Sequence, residues 1–185
     1  MYHDVTMAGF GGQGILLIGN LLAEAALAEG LHVTYLPSYG VEMRGGSANC
    51  TVVVSDREIG SPAVGSAQAL LIMSRPALAR FLPTLKPGGL LILNTSLIDL
   101  AEVNRSDAEL LAYPLNAIAL ELGHQRLANM VALGLYLGKK PVVKLESIEH
   151  GFAELLSEKN RAYIPQNIVA IQKGMELAGR QEGKA

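Results

Sequence analysis

Apolar positions along the chain fall into two patterns. Six short runs, apolar at most positions rather than at every second one, lie at residues 3–8, 31–36, 50–55, 69–73, 90–93 and 109–113. Runs of this kind predict strands buried on both faces, as in parallel sheets. Between and after them the period lengthens. Residues 15–29 form a long apolar stretch without proline that closes at Gly30, which predicts a helix. Leu78, Phe81, Leu82 and Leu85 fall at helical spacing, with Pro83 ending or bending that helix. Residues 116–122 and 126–137 predict two helices stopped by Gly123 and Gly138. Ile148, Phe152, Leu155 and Leu156 make one further helical face, and Ile164, Ile168, Ile171, Met175 and Ala178 another. Lys86-Pro87-Gly88-Gly89 is a turn signal, whereas residues 97–104 and 141–143 carry no decisive period.

Strands alternating with helices define an α/β protein. The strand at residues 3–8 and the helix at 15–29 are joined by Gly9-Phe10-Gly11-Gly12-Gln13-Gly14. Glycines at this spacing allow a tight turn, let a ligand approach the backbone, and leave N–H groups at the helix start facing it. The natural guest is a phosphate or diphosphate; the alternative is a plain turn whose glycines serve packing. The expected fold is a single Rossmann-like domain at residues 1–178, three layers with helices on both faces of a mostly parallel sheet, followed by a flexible tail at 179–185. Ligands in such folds bind beyond the carboxyl ends of the strands. The glycine turn and the loop of residues 38–49 would both lie there, after strands expected to be adjacent. A dinucleotide site also needs a carboxylate at the tip of the second strand to hold a ribose. Pro37-Ser38-Tyr39-Gly40 offers none, and the first carboxylate is Glu42, out in the loop.

That loop holds Arg44 beside Gly45 and Gly46, a guanidinium that can grip an anion bidentately or stand as a solvated charge. Asn49 is expected to cap the loop, and Asn129 to tie a helix end rather than touch a substrate.

Composition changes the picture in one respect. With 15 basic and 17 acidic residues, charge is near balance, and no basic stripe points to nucleic acid. Only 17% of residues are charged, against about 25% in an average domain. The shortfall predicts a surface partly covered by other chains, the alternative being an apolar monomer. The single Cys50 excludes an internal disulfide and a cysteine-rich cluster site, and suits a buried thiol in a strand. The longest apolar stretch is broken by Asn20 and Glu24, and no signal-peptide pattern opens the chain, so no membrane span and a soluble, cytoplasmic protein are expected. His3, His32, His124 and His150 show no metal-ligand spacing. There is no G-x-S-x-G elbow, and Gly138-Lys139 lacks the Walker frame. No catalytic residue declares itself, which points to a subunit inactive alone.

Four segments carry a resemblance: residues 9–14; Ser38-Tyr39-Gly40 with Glu42-Met43-Arg44-Gly45-Gly46; Ile59-Gly60-Ser61-Pro62; and Asn129-Met130-Val131-Ala132-Leu133-Gly134. In this order they resemble the gamma subunit of 2-oxoacid:ferredoxin oxidoreductases, over nearly the whole chain. Val41 stands where the family usually has proline. The resemblance implies a complex that decarboxylates a 2-oxoacid oxidatively to an acyl-coenzyme A and carbon dioxide. Thiamine diphosphate, magnesium and iron–sulfur clusters would sit on partner subunits: alpha, beta and a ferredoxin-like delta chain. Electrons would leave to ferredoxin, and the isolated chain would self-associate. The chain itself would help bind coenzyme A through Gly9, Phe10, Gly11, Gly12, Gln13 and Gly14, with Arg44 and Gly45 close by. A free-standing NAD- or flavin-binding oxidoreductase and a structural subunit without ligand are the competing readings. The identity of the 2-oxoacid stays open.

Overall fold

All six apolar runs become strands of one sheet in the computed structural model, which describes residues 1–39 and 46–180. The strands are β1 (Tyr2–Phe10), β2 (His32–Tyr39), β3 (Ser47–Ser55), β4 (Ala67–Ile72), β5 (Leu85–Asn94) and β6 (Glu109–Tyr113). The helices are α1 (Ile15–Ala28), α2 (Arg75–Phe81), α3 (Leu115–Glu121), α4 (Ala128–Lys139), α5 (Leu145–Leu155), α6 (Glu158–Arg161) and α7 (Ile164–Arg180). Single 3₁₀ turns at Leu82–Thr84, Leu100–Glu102 and Gln125–Leu127 fill the joints. Among the described residues, no helix is long and apolar enough to cross a membrane.

The sheet order is β2-β3-β1-β4-β5-β6. β1, β4, β5 and β6 run parallel as neighbours, and β3 runs antiparallel to both β1 and β2. This corrects the expectation that β1 and β2 are adjacent: β3 lies between them. Residues 40–46 are too few for a helical crossover, which needs about a dozen residues, so β3 returns as the antiparallel neighbour of β2. β3 is buried on both faces over most of its length, with Val52, Val53 and Val54 in succession, and that burial makes it look like a parallel strand.

Helices lie on both faces, unevenly. α1, α3, α4, α5 and α7 pack with Val5, Met7, Val52, Leu71 and Ile92 in the larger core. On the opposite face α2 alone covers Ala8, Leu70, Ile72, Leu91 and Leu93, helped by irregular segments that contribute Val64 and Ile98.

Local expectations fare unevenly. Pro83 does end α2, handing over to the 3₁₀ turn. The Lys86–Gly89 turn signal lies inside β5 instead, as a kink: Gly88 takes φ 72°, and the pairing with β4 slips between Ala67 and Ala69. Gly123, at φ 108°, follows α3 as expected. Gly138 does not stop α4, because it lies inside it; a Cβ there would meet Ala178 and Met175 of α7. Residues 179–180 belong to α7, and the rest of the expected tail falls outside the described residues.

The tightest packing is between α4 and α7. A Cβ on Gly134 would strike the Ile171 carbonyl oxygen, and one on Gly174 would strike the Val131 carbonyl oxygen. Backbone lies against backbone here, so neither neighbour can yield as a flexible side chain would. Gly134→Ala should therefore cost about 1–3 kcal/mol of stability in denaturant unfolding. Gly179→Ala, where nothing lies within 4 Å, should be neutral or slightly stabilising. Equal behaviour of the two variants would contradict this account of the packing.

Candidate functional site

Strand β1 ends at Phe10, and the chain turns through residues 11–14 into α1. The neighbouring strand β4 ends two residues earlier, Ala8 pairing with Ile72, and Met73 N–H donates to Ala8 O at 2.8 Å. The helix after β1 packs on one face of the sheet and the helix after β4 on the other. Chains that part in this way leave a crevice at the carboxyl edge, the topological switch point where open α/β sheets bind ligands.

Two glycines in the turn have positive φ, Gly12 at 93° and Gly14 at 74°, a region costly for residues with a Cβ. Gly14 is the N-cap of α1 and brings no side chain to cap it; no acidic residue stands in the first helical turn. The opening N–H groups of a helix have no acceptor within it. Together with the helix dipole they make the end of α1 a site for negative charge. Among the described residues, a Cβ on Gly12 would meet nothing within 4 Å.

Gln13 has a different part from the one its place in the motif suggests. Its Oε1 accepts from Phe10 N–H at 2.6 Å, its Nε2 donates to Met73 O at 3.1 Å, and its own N–H donates to Phe10 O at 3.2 Å. The side chain is a brace between the ends of β1 and β4. Gly9 has no side chain because a Cβ there would run into the Gln13 amide. Gly11 N–H donates to Gly46 O at 2.8 Å, so the turn is tied to the chain entering β3. Arg44 and Gly45 lie outside the described residues, but Tyr39 and Gly46, which flank that segment, are at the carboxyl edge beside the turn.

Asn129 behaves as its position before a helical run suggests: its Nδ2 donates to Gly14 O at 3.2 Å and ties the start of α1 to α4. Asn49 does not cap the loop. It is a buried residue of β3, paired with Ala8 and Ser38.

Features the sequence did not disclose surround the turn. On the α2 side, a cleft of about 200 Å³ is lined by Phe10, Ser47, Ser74, Arg80 and Phe81, with the Arg80 guanidinium 5.0 Å from the Phe81 ring centre. Beyond β5, the fully buried Asn94 accepts from Ser96 N–H and Leu115 N–H and donates to Asn116 Oδ1, which fixes the entry to α3. Asn94 and Asn116 are far apart in sequence, so only pairing of β5 with β6 brings them together.

A scan against protein-family models matches residues 4–177 to the family described as pyruvate ferredoxin/flavodoxin oxidoreductase. The chain belongs to this family. Among its relatives, the 2-oxoglutarate synthase subunit KorC of Methanothermobacter thermautotrophicus is 34% identical over 180 residues, covering 94% of each chain. The ketoisovalerate oxidoreductase subunit VorA of Methanothermobacter marburgensis is 38% identical over 133 residues, which are 72% of this chain but only 27% of VorA. The crystal structure of a keto/oxoacid ferredoxin oxidoreductase gamma subunit from Geobacter sulfurreducens aligns with a TM-score of 0.80 at 30% identity, over 96% of this chain and 99% of that one.

Directly under α1, Cys50 of β3 is buried and its Sγ lies 3.7 Å from Ile15 O. Burial pushes its thiol up to about 12, as suits the packing role expected of it. The folded chain holds this proton more tightly than the unfolded chain, whose thiol titrates near 9.0. The resulting stability is complete below pH 9 and is lost as pH rises from there towards about 12. Cys50 should therefore resist iodoacetamide in the folded protein at about pH 8 and react only after unfolding, a contrast readable by mass spectrometry.

Proposed function

We propose that this chain is the gamma-type subunit of a complex that oxidatively decarboxylates a 2-oxoacid, and that its glycine turn holds the diphosphate of coenzyme A. Family membership and end-to-end similarity to KorC and to the Geobacter gamma subunit support the subunit role. The observation that carries the coenzyme reading is the start of α1: no side-chain cap at Gly14, no carboxylate in the first turn and, among the described residues, nothing within 4 Å of a Cβ on Gly12. The residues fit a polyanion. Gly11, Gly12 and Gly14 would bring the backbone close, α1 would supply the positive end of its dipole, and Gln13 would keep the turn in shape. When bound, coenzyme A supplies the thiol that accepts the acyl group.

Partner alpha and beta chains would carry thiamine diphosphate, magnesium and the clusters, with ferredoxin, and a ferredoxin-like delta chain where present, taking the electrons. The side of the sheet covered by α2 suits a partner. Phe10 and Leu36 are partly exposed on it, as are Leu97 and Leu100 beside the buried Ile98. Arg44 and Gly45, in the segment joined to the turn through Gly46, belong to the proposed coenzyme site. KorC and VorA are named for different 2-oxoacids, so choice of substrate is assigned to the partners rather than to this shared fold. The complex would work in the cytoplasm.

The test is Gly12→Asp in the co-expressed, assembled complex. Among the described residues the new side chain meets nothing, so it adds a carboxylate before the helix terminus with only the strain of a positive φ. The KM for coenzyme A should rise at least about tenfold while the KM for the 2-oxoacid holds. An unchanged coenzyme A constant would reject the cradle.

A further inference from the structure

We infer that Asn129 is a positioning residue for the coenzyme, acting through Gly14 at the start of α1; the inference rests on the coenzyme A reading above. A helix N-cap is usually a Ser, Thr, Asp or Asn whose oxygen accepts from the N–H groups of the first turn. Such a cap here would occupy the groups a diphosphate needs. The chain solves this with a residue from another helix. The Asn129 amide fills the space where a Cβ on Gly14 would be, so Gly14 cannot carry a capping side chain. Asn129 Nδ2 presents a donor to Gly14 O, which also accepts Ile18 N–H at 3.2 Å. The amide thus fixes the peptide that sets the direction of α1 while leaving the leading N–H groups free. Gly14 holds φ 74° and ψ 24°, and a rotation there would swing those N–H groups away from the crevice.

A second observation points to a ligand. Asn129 is only 4% exposed, and its Oδ1 is buried without a hydrogen-bond partner. An unpaired buried acceptor is destabilising, a penalty that packing alone would remove by using an apolar residue. The oxygen belongs to the amide whose Nδ2 donates to Gly14 O, so this unpaired acceptor lies beside the positive end of α1. The side chain serves the helix terminus, and α4, otherwise buried against α7 and the sheet, holds it there.

The experiment uses the assembled complex and reads coenzyme A binding directly by titration calorimetry, with the KM for the 2-oxoacid measured beside it. Asn129→Ala should weaken coenzyme A binding about five- to tenfold, with the 2-oxoacid KM unchanged. Asn129→Asp keeps the shape but replaces the donor with a carboxylate. It should bind coenzyme A poorly at about pH 8 and recover towards wild type as pH falls and the protonated carboxyl can donate to Gly14 O. An unchanged dissociation constant for Asn129→Ala overturns the inference, and so does a loss shared equally with the 2-oxoacid constant, which marks a packing effect. Should Asn129→Ala fail to assemble, the Asp variant decides: affinity that follows wild type at every pH overturns it. Gly12→Asp separates the two readings. If that variant loses affinity and the Asn129 variants do not, only this inference falls; if none loses affinity, the cradle itself is wrong.

Discussion

The architecture turns on a helix that begins without a cap. α1 starts at a glycine in the left-handed region, and among the described residues no side chain caps its first N–H groups, which have no acceptor within the helix. Burying such groups without partners would be costly, so they must stay at an edge that water or a ligand can reach. The carboxyl edge of the sheet at the β1–β4 boundary is such a place. Parallel pairing of β1 with β4, and departure of their helices to opposite faces, open the crevice into which the groups point.

Keeping the turn in that state takes more structure than the turn itself contains. Gln13 spans from Phe10 to Met73, Gly11 is tied to Gly46, and Asn129 reaches in from α4 to the Gly14 carbonyl. These ties come from three separate parts of the chain. They converge because β3 inserts beside β1 and because α4 packs on the same face as α1. Cys50 and Gly19 let α1 lie close over β3, since a Cβ on Gly19 would strike the thiol and the Tyr35 ring. Rigidity at the turn is thus a product of tertiary packing, whereas the glycines supply only the permitted backbone angles.

This division explains what could be read from the sequence. The βα turn, the class of fold and the presence of all six strands follow from local pattern, because burial on two faces and glycine spacing are local properties. The place of β3 was not legible. Its Val52, Val53 and Val54 look like any buried strand, and only the shortness of residues 40–46 hinted that it must turn back on β2. Gly88 and Gly138 misled for a related reason. Glycine marks a break when the backbone needs a positive φ, but it equally marks a close approach, and Gly138 against Met175 is the second kind. Gln13 was recognised as part of the motif, yet its hydrogen bonds to Phe10 and Met73 depend on where β4 ends, which no local pattern encodes. Asn129 was legible as a helix tie, although its partner, 115 residues away, was not.

The low share of charged residues has its counterpart in an asymmetric molecule. Among the described residues, one face of the sheet lies under five helices, whereas the other has a single helix of seven residues and irregular cover. A face so thinly covered cannot exclude water from the carboxyl edge by itself. The same edge carries the open crevice, the half-buried Phe10 and the cleft beside Arg80 and Phe81. A ligand held by backbone N–H groups gains most where water is excluded, since an exposed hydrogen bond competes with solvent. On the proposed reading, the fold prepares one wall of a site, with its dipole and its glycines, and a neighbouring chain supplies the second. A turn that is braced internally but open outward suits a subunit that binds a reactant for chemistry performed on another polypeptide.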